Sequence, residues 1–163
     1  MYKRKNILKI AIDSPAAAGA GTLARAISKE YNLIYIDTGK IYRLIALHKL
    51  NNKKKFNIQF LKNKIKKLKV KDLENKKLLS NEVSVIASEV AKQKKIRKLI
   101  YSFQKNFAYN PPKKYNGSCL DGRDITYKII PDADFKFYIT ANLRTRAFRR
   151  FNELKGLNKK VTF

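Results

Sequence analysis

At 163 residues the chain can bury one sizeable core but hardly two, and 44% hydrophobic with 31% charged residues is an ordinary globular mixture. One cysteine, Cys119, excludes a disulfide framework and a cysteine-based metal site, and no apolar run approaches membrane-spanning length. Thirty-eight Lys+Arg against 12 Asp+Glu leave a formal charge of +26, a balance that attracts nucleic acid, anionic membranes or phosphate-rich ligands.

The lysines are spread along the chain among asparagine and isoleucine, as in an AT-rich genome, and aromatics do not interleave with them as stacking platforms. Compositional bias is therefore read as the main cause of the charge. The basic N-terminus leads into no long apolar region or cleavage site, so no signal peptide is expected and the cytoplasm is the expected compartment.

Ile7–Ile12 is a short, β-branched run suited to a buried parallel strand. It stops at Asp13 and enters a loop of small residues, Ser14, Pro15, Ala16, Ala17, Ala18, Gly19, Ala20 and Gly21, before a helix predicted over Thr22–Tyr31. Strand, small-residue loop and helix make a phosphate cradle: backbone N–H groups converge on an anion, and the helix N-terminus adds its dipole. Thr22 supplies the hydroxyl that such loops offer to Mg²⁺. The strict pattern G-x-x-x-x-G-K-[ST] fails at Ser14 and at Ala20, where the phosphate-binding lysine belongs, so these residues alone also fit an ordinary turn.

Leu33–Asp37 is a second strand, followed by Thr38-Gly39 and a helix from about Lys40 to Leu50. Asp37 and Thr38 thus sit at a strand's carboxyl end, where open α/β sheets collect ligands, and Arg43 on the helix can point back to the same crevice. His48, the only histidine, falls late in that helix without a partner motif and is expected at the surface.

Phe56–Leu68 is an amphipathic, lysine-rich helix whose basic face is expected to be solvated, and Val70–Leu79 is irregular. Helical spacing resumes over Asn81–Ala91, which carries Ser88, and over Lys94–Ala108, with Arg97 near its start and Pro111-Pro112 beyond its end. Ser118–Leu120 leads into the charged turn Asp121-Gly122-Arg123-Asp124; Phe135–Thr140 is a fourth strand. A last helix near Asn142 carries Arg144, Arg146, Arg149 and Arg150, which repel one another unless something anionic sits among them. Val161–Phe163 ends the chain without a closing strand or helix.

Strands alternating with helices imply an α/β parallel sheet with right-handed crossovers. The first strand is expected to be flanked by the strands at Leu33–Asp37 and Ser118–Leu120. A single domain is expected, with a core of residues 1–50 and 110–163 and a helical insertion over about 51–109.

Five pieces in order, IAIDSPAAAGAGTLA, YIDTGKIYR, IASEVA with IR soon after, LDGRDI with PDADFKFYITA, and RAFRR, make the chain similar to bacterial cytidylate kinases, a nucleoside monophosphate kinase family. The resemblance covers essentially everything from Lys9 onward. It implies a P-loop kinase fold, ATP and Mg²⁺ at Ser14–Thr22, and CMP or dCMP over the helical insertion. It implies further that Asp37, Thr38 and Arg43 hold the monophosphate nucleotide, that Ser88 contacts cytosine, and that Arg97 contacts phosphate or base. Arg123 and Asp124 would engage the nucleotide, Asp124 through the sugar, while Arg146 and Arg150 would belong to the lid side over the phosphates. Asp121 is read as a brace of the turn or of the metal's water shell.

Ala20 departs from the family, and the family's later lid motif, fifth strand and final helix have no counterpart in these residues. The expectation is a fragment of an otherwise working enzyme that binds nucleotide and turns over poorly. The alternatives are another small P-loop kinase, acting on shikimate or a different nucleoside monophosphate, and a catalytically dead, basic nucleotide- or RNA-binding protein. Non-specific contact with nucleic acid fits the charge; no membrane partner is expected.

Overall fold

Strand β1 (Leu8–Asp13) lies inside a sheet, paired on both edges, so its side chains are apolar toward both faces. The computed structural model describes residues 7–156. In it β1, β2 (Leu33–Asp37), β3 (Gly117–Gly122) and β4 (Phe135–Tyr138) form one parallel sheet in the order β2-β3-β1-β4. The predicted pairing of the first two strands is corrected: β3 lies between β1 and β2, so the β1-to-β2 connection crosses β3 and the β3-to-β4 connection crosses β1.

Six helices are described: α1 (Ala20–Glu30), α2 (Thr38–Asn51), α3 (Ile58–Lys66), α4 (Asn81–Lys92), α5 (Lys94–Tyr109) and α6 (Leu143–Gly156). Helix α1 starts at Ala20, two residues before the predicted start. Helix α2 starts at Thr38 because the Asp37 carboxylate caps it, accepting from Lys40 N–H (3.1 Å). Val70–Leu79, read as irregular, forms two short 3₁₀ turns that bury Leu73 and Leu78.

The sheet packs on two sides, as alternation along each strand requires. Ala11, Ile34, Ile36 and Leu120 face a large cluster with Ile41 and Ile45 of α2, Leu61 of α3, Val90 of α4, and Ile96 and Ile100 of α5. Ile10, Ile12, Leu33 and Cys119 face Ala20 and Ala24 of α1. Each fully buried isoleucine contributes about 2 kcal/mol relative to exposure. Residues of the helical segment 51–109 thus share one core with the sheet. His48 is half-buried against the Phe60 ring rather than at the surface, and burial lowers its basicity, assisted by the Lys64 charge.

Strand β4 is shorter than predicted and stands at the sheet edge, with all four residues exposed, Phe135 at 54% and Tyr138 at 72%. Among the described residues its outer edge is unpaired, the situation in which strands recruit partners. The tail Val161–Phe163 lies outside the described residues. No helix among the described residues is long and apolar enough to cross a membrane.

Candidate active site

The loop Ser14–Gly19 joins the carboxyl end of β1 to α1. Ser14 N–H donates to the Gly122 carbonyl (3.0 Å), tying the loop to the end of β3. Ala17 (φ 60°) and Gly19 (φ 104°) are left-handed, which curls the backbone into a concavity. For Ala17 this conformation costs about 1 kcal/mol. Gly19 provides no side-chain cap and the first turn of α1 holds no acid, so the helix begins with N–H groups open to an anion. Thr22 is exposed at that end, whereas Ala20 is buried against the α1 face of the sheet.

Beside the loop, the ends of β2 and β3 form a crevice. Thr38 Oγ1 donates to the Asp121 carbonyl (2.7 Å), and a β-carbon added at Gly122 would collide with Thr38 Oγ1, so glycine is needed there for this approach. Asp121 Oδ1 and Tyr35 Oη are both buried without a hydrogen-bond partner of good geometry. Both lie against the start of α1: a β-carbon at Gly21 would sit 3.2 Å from Tyr35 Oη and 3.4 Å from Asp121 Oδ2. Burial, then the negative charge of Asp37, pushes the Asp121 carboxyl up to about 7.

A folded-state value above the unfolded one means that the folded protein holds this proton more tightly. The stability it contributes is complete below about pH 4 and is lost as pH rises toward 7. Nucleotide-free protein in a chelator is therefore expected to lose melting temperature between pH 5 and 8, and Asp121→Asn to flatten that slope. Equal slopes in parent and variant, read by circular dichroism, would contradict the assignment.

Across the crevice, Arg97 at the start of α5 pairs with Asp124, which is 7% exposed. Arg97 also donates to Tyr101 Oη through Nε (2.9 Å) and Nη2 (2.7 Å) and to the Ala91 carbonyl (3.1 Å), while Tyr101 donates to Asp124. Its guanidinium stands over the rings of Tyr42 (6.0 Å) and Tyr101 (5.4 Å). Burial disfavours the Arg97 charge, but the Tyr101 hydrogen bond and the surrounding groups outweigh it and raise its basicity.

The third group comes from α2, α4 and α6. Arg43 donates to the Leu78 carbonyl (3.4 Å); burial, and then the like charge of Arg150, lowers its basicity. Arg150 pairs with Glu153 (2.7 Å) and reaches Ser84 Oγ at 3.5 Å. Ser88 is exposed one turn further along α4, its hydroxyl donating to the Ser84 carbonyl (3.1 Å). Two guanidiniums near enough for their charges to repel favour an anion between them.

The predicted residues Asp37, Thr38, Arg43, Arg97 and Asp124 thus converge on the carboxyl edge of the sheet, with Ser88 and Arg150 on its rim. Arg123 stays exposed beside the turn, and Arg146 folds back to the Ala141 carbonyl (3.1 Å). Three side chains in this region, Asp13, Tyr42 and Tyr101, are not singled out from the sequence. Asp13, read only as the end of a strand, accepts from Ile125 N–H (2.8 Å), Thr126 N–H (3.0 Å) and Thr126 Oγ1, fixing the segment after Asp124 to the base of the loop. Tyr42 and Tyr101 frame Arg97, and Arg149 of α6 reaches the loop itself. The visible signal for Asp13 is an acid closing an apolar strand; nothing in the sequence marks Tyr42 or Tyr101.

Residues 10–163 match the family model described as Cytidylate kinase. A protein named Cytidylate kinase from Bartonella tribocorum (strain CIP 105476 / IBS 506) is 45% identical over 148 residues, 89% of this chain and 66% of that relative. Proteins of the same name from Magnetococcus marinus (strain ATCC BAA-1437 / JCM 17883 / MC-1) and Clostridium botulinum (strain Hall / ATCC 3502 / NCTC 13319 / Type A) are each 37% identical, over 95% and 96% of this chain and 73% and 75% of the relatives. The chain spans about two thirds to three quarters of the length of these relatives.

Proposed function

Because the chain belongs to the cytidylate kinase family, we propose that the protein transfers the terminal phosphoryl group of ATP to CMP or dCMP, giving CDP or dCDP. The observation that carries this reading is the placement of the uncapped anion loop Ser14–Gly19 beside a crevice holding Arg43, Arg97 and Asp124. Phosphoryl transfer needs positioning and charge neutralisation more than covalent help from the protein.

In this reading the loop and the start of α1 bind the triphosphate through backbone N–H groups. Arg43 and Arg150 flank the acceptor's phosphate, and their mutual repulsion is relieved when it arrives. Arg97 and Asp124, which pair with one another, turn to the nucleotide, Asp124 to the sugar and Arg97 to phosphate or base. Thr38, Asp37 and Arg123 line the same edge, and Ser88 meets cytosine. Arg146 and Arg150 act on the side that closes and excludes water, which competes with CMP as acceptor. The segment 51–109 serves as the helical insertion on which the monophosphate nucleotide rests.

Mg²⁺ fits the residues present. The Thr22 hydroxyl and the Asp121 carboxylate, with its orphaned buried oxygen, are hard oxygen donors at the mouth of the loop. Among the described residues no cluster of three or more His, Cys, Asp or Glu would cage a metal. An ion held mainly by phosphates and water would, when bound, offset phosphate charge. The setting proposed is the cytoplasm.

The test is product formation from ATP with CMP, dCMP, UMP, AMP and shikimate in parallel, read by chromatography. The expected result is CDP and dCDP as preferred products. Phosphorylation of another acceptor with none of CMP or dCMP would instead establish a different small P-loop kinase.

A further inference from the structure

The position where a phosphate-loop lysine belongs is Ala20, the first residue of α1, whose methyl group supplies no charge and packs in the cluster between β1 and α1. The loop nevertheless carries a cation. Arg149 of α6 donates through Nη1 to the Ala18 carbonyl (2.8 Å) and the Ala17 carbonyl (3.4 Å). The same Nη1 would stand 3.3 Å from a β-carbon at Gly19, so the guanidinium lies directly against the left-handed stretch that forms the concavity.

We propose that Arg149 is the cation of the phosphate loop, brought from α6 to bind the triphosphate of ATP in place of a lysine at position 20. This rests on the kinase reading above and adds the residue that carries the charge. Only Nη1 is engaged by the described residues, which leaves Nε and Nη2 of a planar fork to take phosphate oxygens. Helix α6 has no fully buried residue, and Arg149 is one of the side chains that tie it to the loop. A lysine rooted in α1 is fixed to the loop, whereas an arginine rooted in α6 arrives with its helix. Charge at the triphosphate and the position of α6 are therefore coupled through a single side chain.

Calorimetric titration with inorganic tripolyphosphate tests this without requiring CMP. Arg149→Met is expected to lower tripolyphosphate affinity by at least about tenfold. Ala20→Lys should recover most of that loss in the Arg149→Met background and give a clearly smaller gain in the parent, the coupling that a shared role produces. Equal gains in both backgrounds, an Arg149→Met affinity within about twofold of the parent, or no binding by the parent would each overturn the proposal. If thermal melting shows that Arg149→Met does not fold, Arg149→Lys decides, since it keeps the charge and loses the fork. A loss of at least about threefold is expected and parental affinity would overturn the idea. Arg149-dependent tripolyphosphate binding without CMP binding would sustain this inference and defeat the kinase reading; normal CMP binding with Arg149-independent tripolyphosphate binding would do the reverse.

Discussion

Asp124→Ala and Arg43→Ala are each expected to lower kcat/KM for CMP at least about tenfold, or about 1.4 kcal/mol. Asp124 is almost fully buried, and Arg97 and Tyr101 fix the position of its carboxylate. Removing it takes away an acceptor for sugar hydroxyls and also frees Arg97 to swing. The loss should exceed that in Arg43→Ala, whose partner is only a long contact to the Leu78 carbonyl. Asp124→Asn keeps the shape and one acceptor and should fall between parent and Asp124→Ala. The two sites also predict different signatures. Arg43 meets the acceptor's phosphate in ground and transition states, so its loss should appear chiefly in KM. Steady-state kinetics with a thermal melt of each variant separate a binding defect from a folding one. Unchanged kinetics in both variants would remove these residues from the site.

The largest stability effect is expected at Asp13. Its carboxylate satisfies two backbone N–H groups and the Thr126 hydroxyl at a position that is 3% exposed. Asp13→Ala would strand these donors where water does not easily reach, costing about 3 kcal/mol. Asp13→Asn retains an acceptor and should cost about half as much. Because the segment after Asp124 hangs on this bond set, the Ala variant should also weaken CMP binding although Asp13 touches no nucleotide in the proposed arrangement. Urea denaturation gives the stability difference directly. A change below about 1 kcal/mol would show that Asp13 does not anchor the turn.

Much of the sheet was legible because burial on two faces imposes apolar runs. Strand β2 falls over Leu33–Asp37 as predicted, and β1 and β3 are offset by only one or two residues. Their spatial order was not legible, because pairing depends on which crossover passes over which neighbour. Helix starts shifted for local reasons: the Asp37 cap extends α2 back to Thr38, and Gly19 begins α1 before Thr22. Strand β4 was overestimated because Ile139-Thr140 continues the apolar pattern past the point where pairing stops at Tyr138. In the site, acids and arginines at strand ends and helix starts could be chosen from their motifs. Which of the four arginines on α6 reaches the loop could not, since Arg144, Arg146, Arg149 and Arg150 differ only in the direction their helix gives them. Tyr101 likewise became visible as a site residue only through its contact with Asp124, on a distant part of the chain.

The central claim is a specific site for a cytidine monophosphate on a very basic chain, and one titration tests it most directly. CMP, dCMP, UMP and random-sequence RNA are titrated calorimetrically into the protein at low and at moderate salt. The account predicts saturable, one-site binding of CMP or dCMP, at least about tenfold tighter than UMP and only modestly weakened by salt, because the contacts lie in a partly buried crevice. Binding of RNA with a steep salt slope, and no preference for cytidine nucleotides, would contradict it and leave a basic nucleic-acid-binding protein instead.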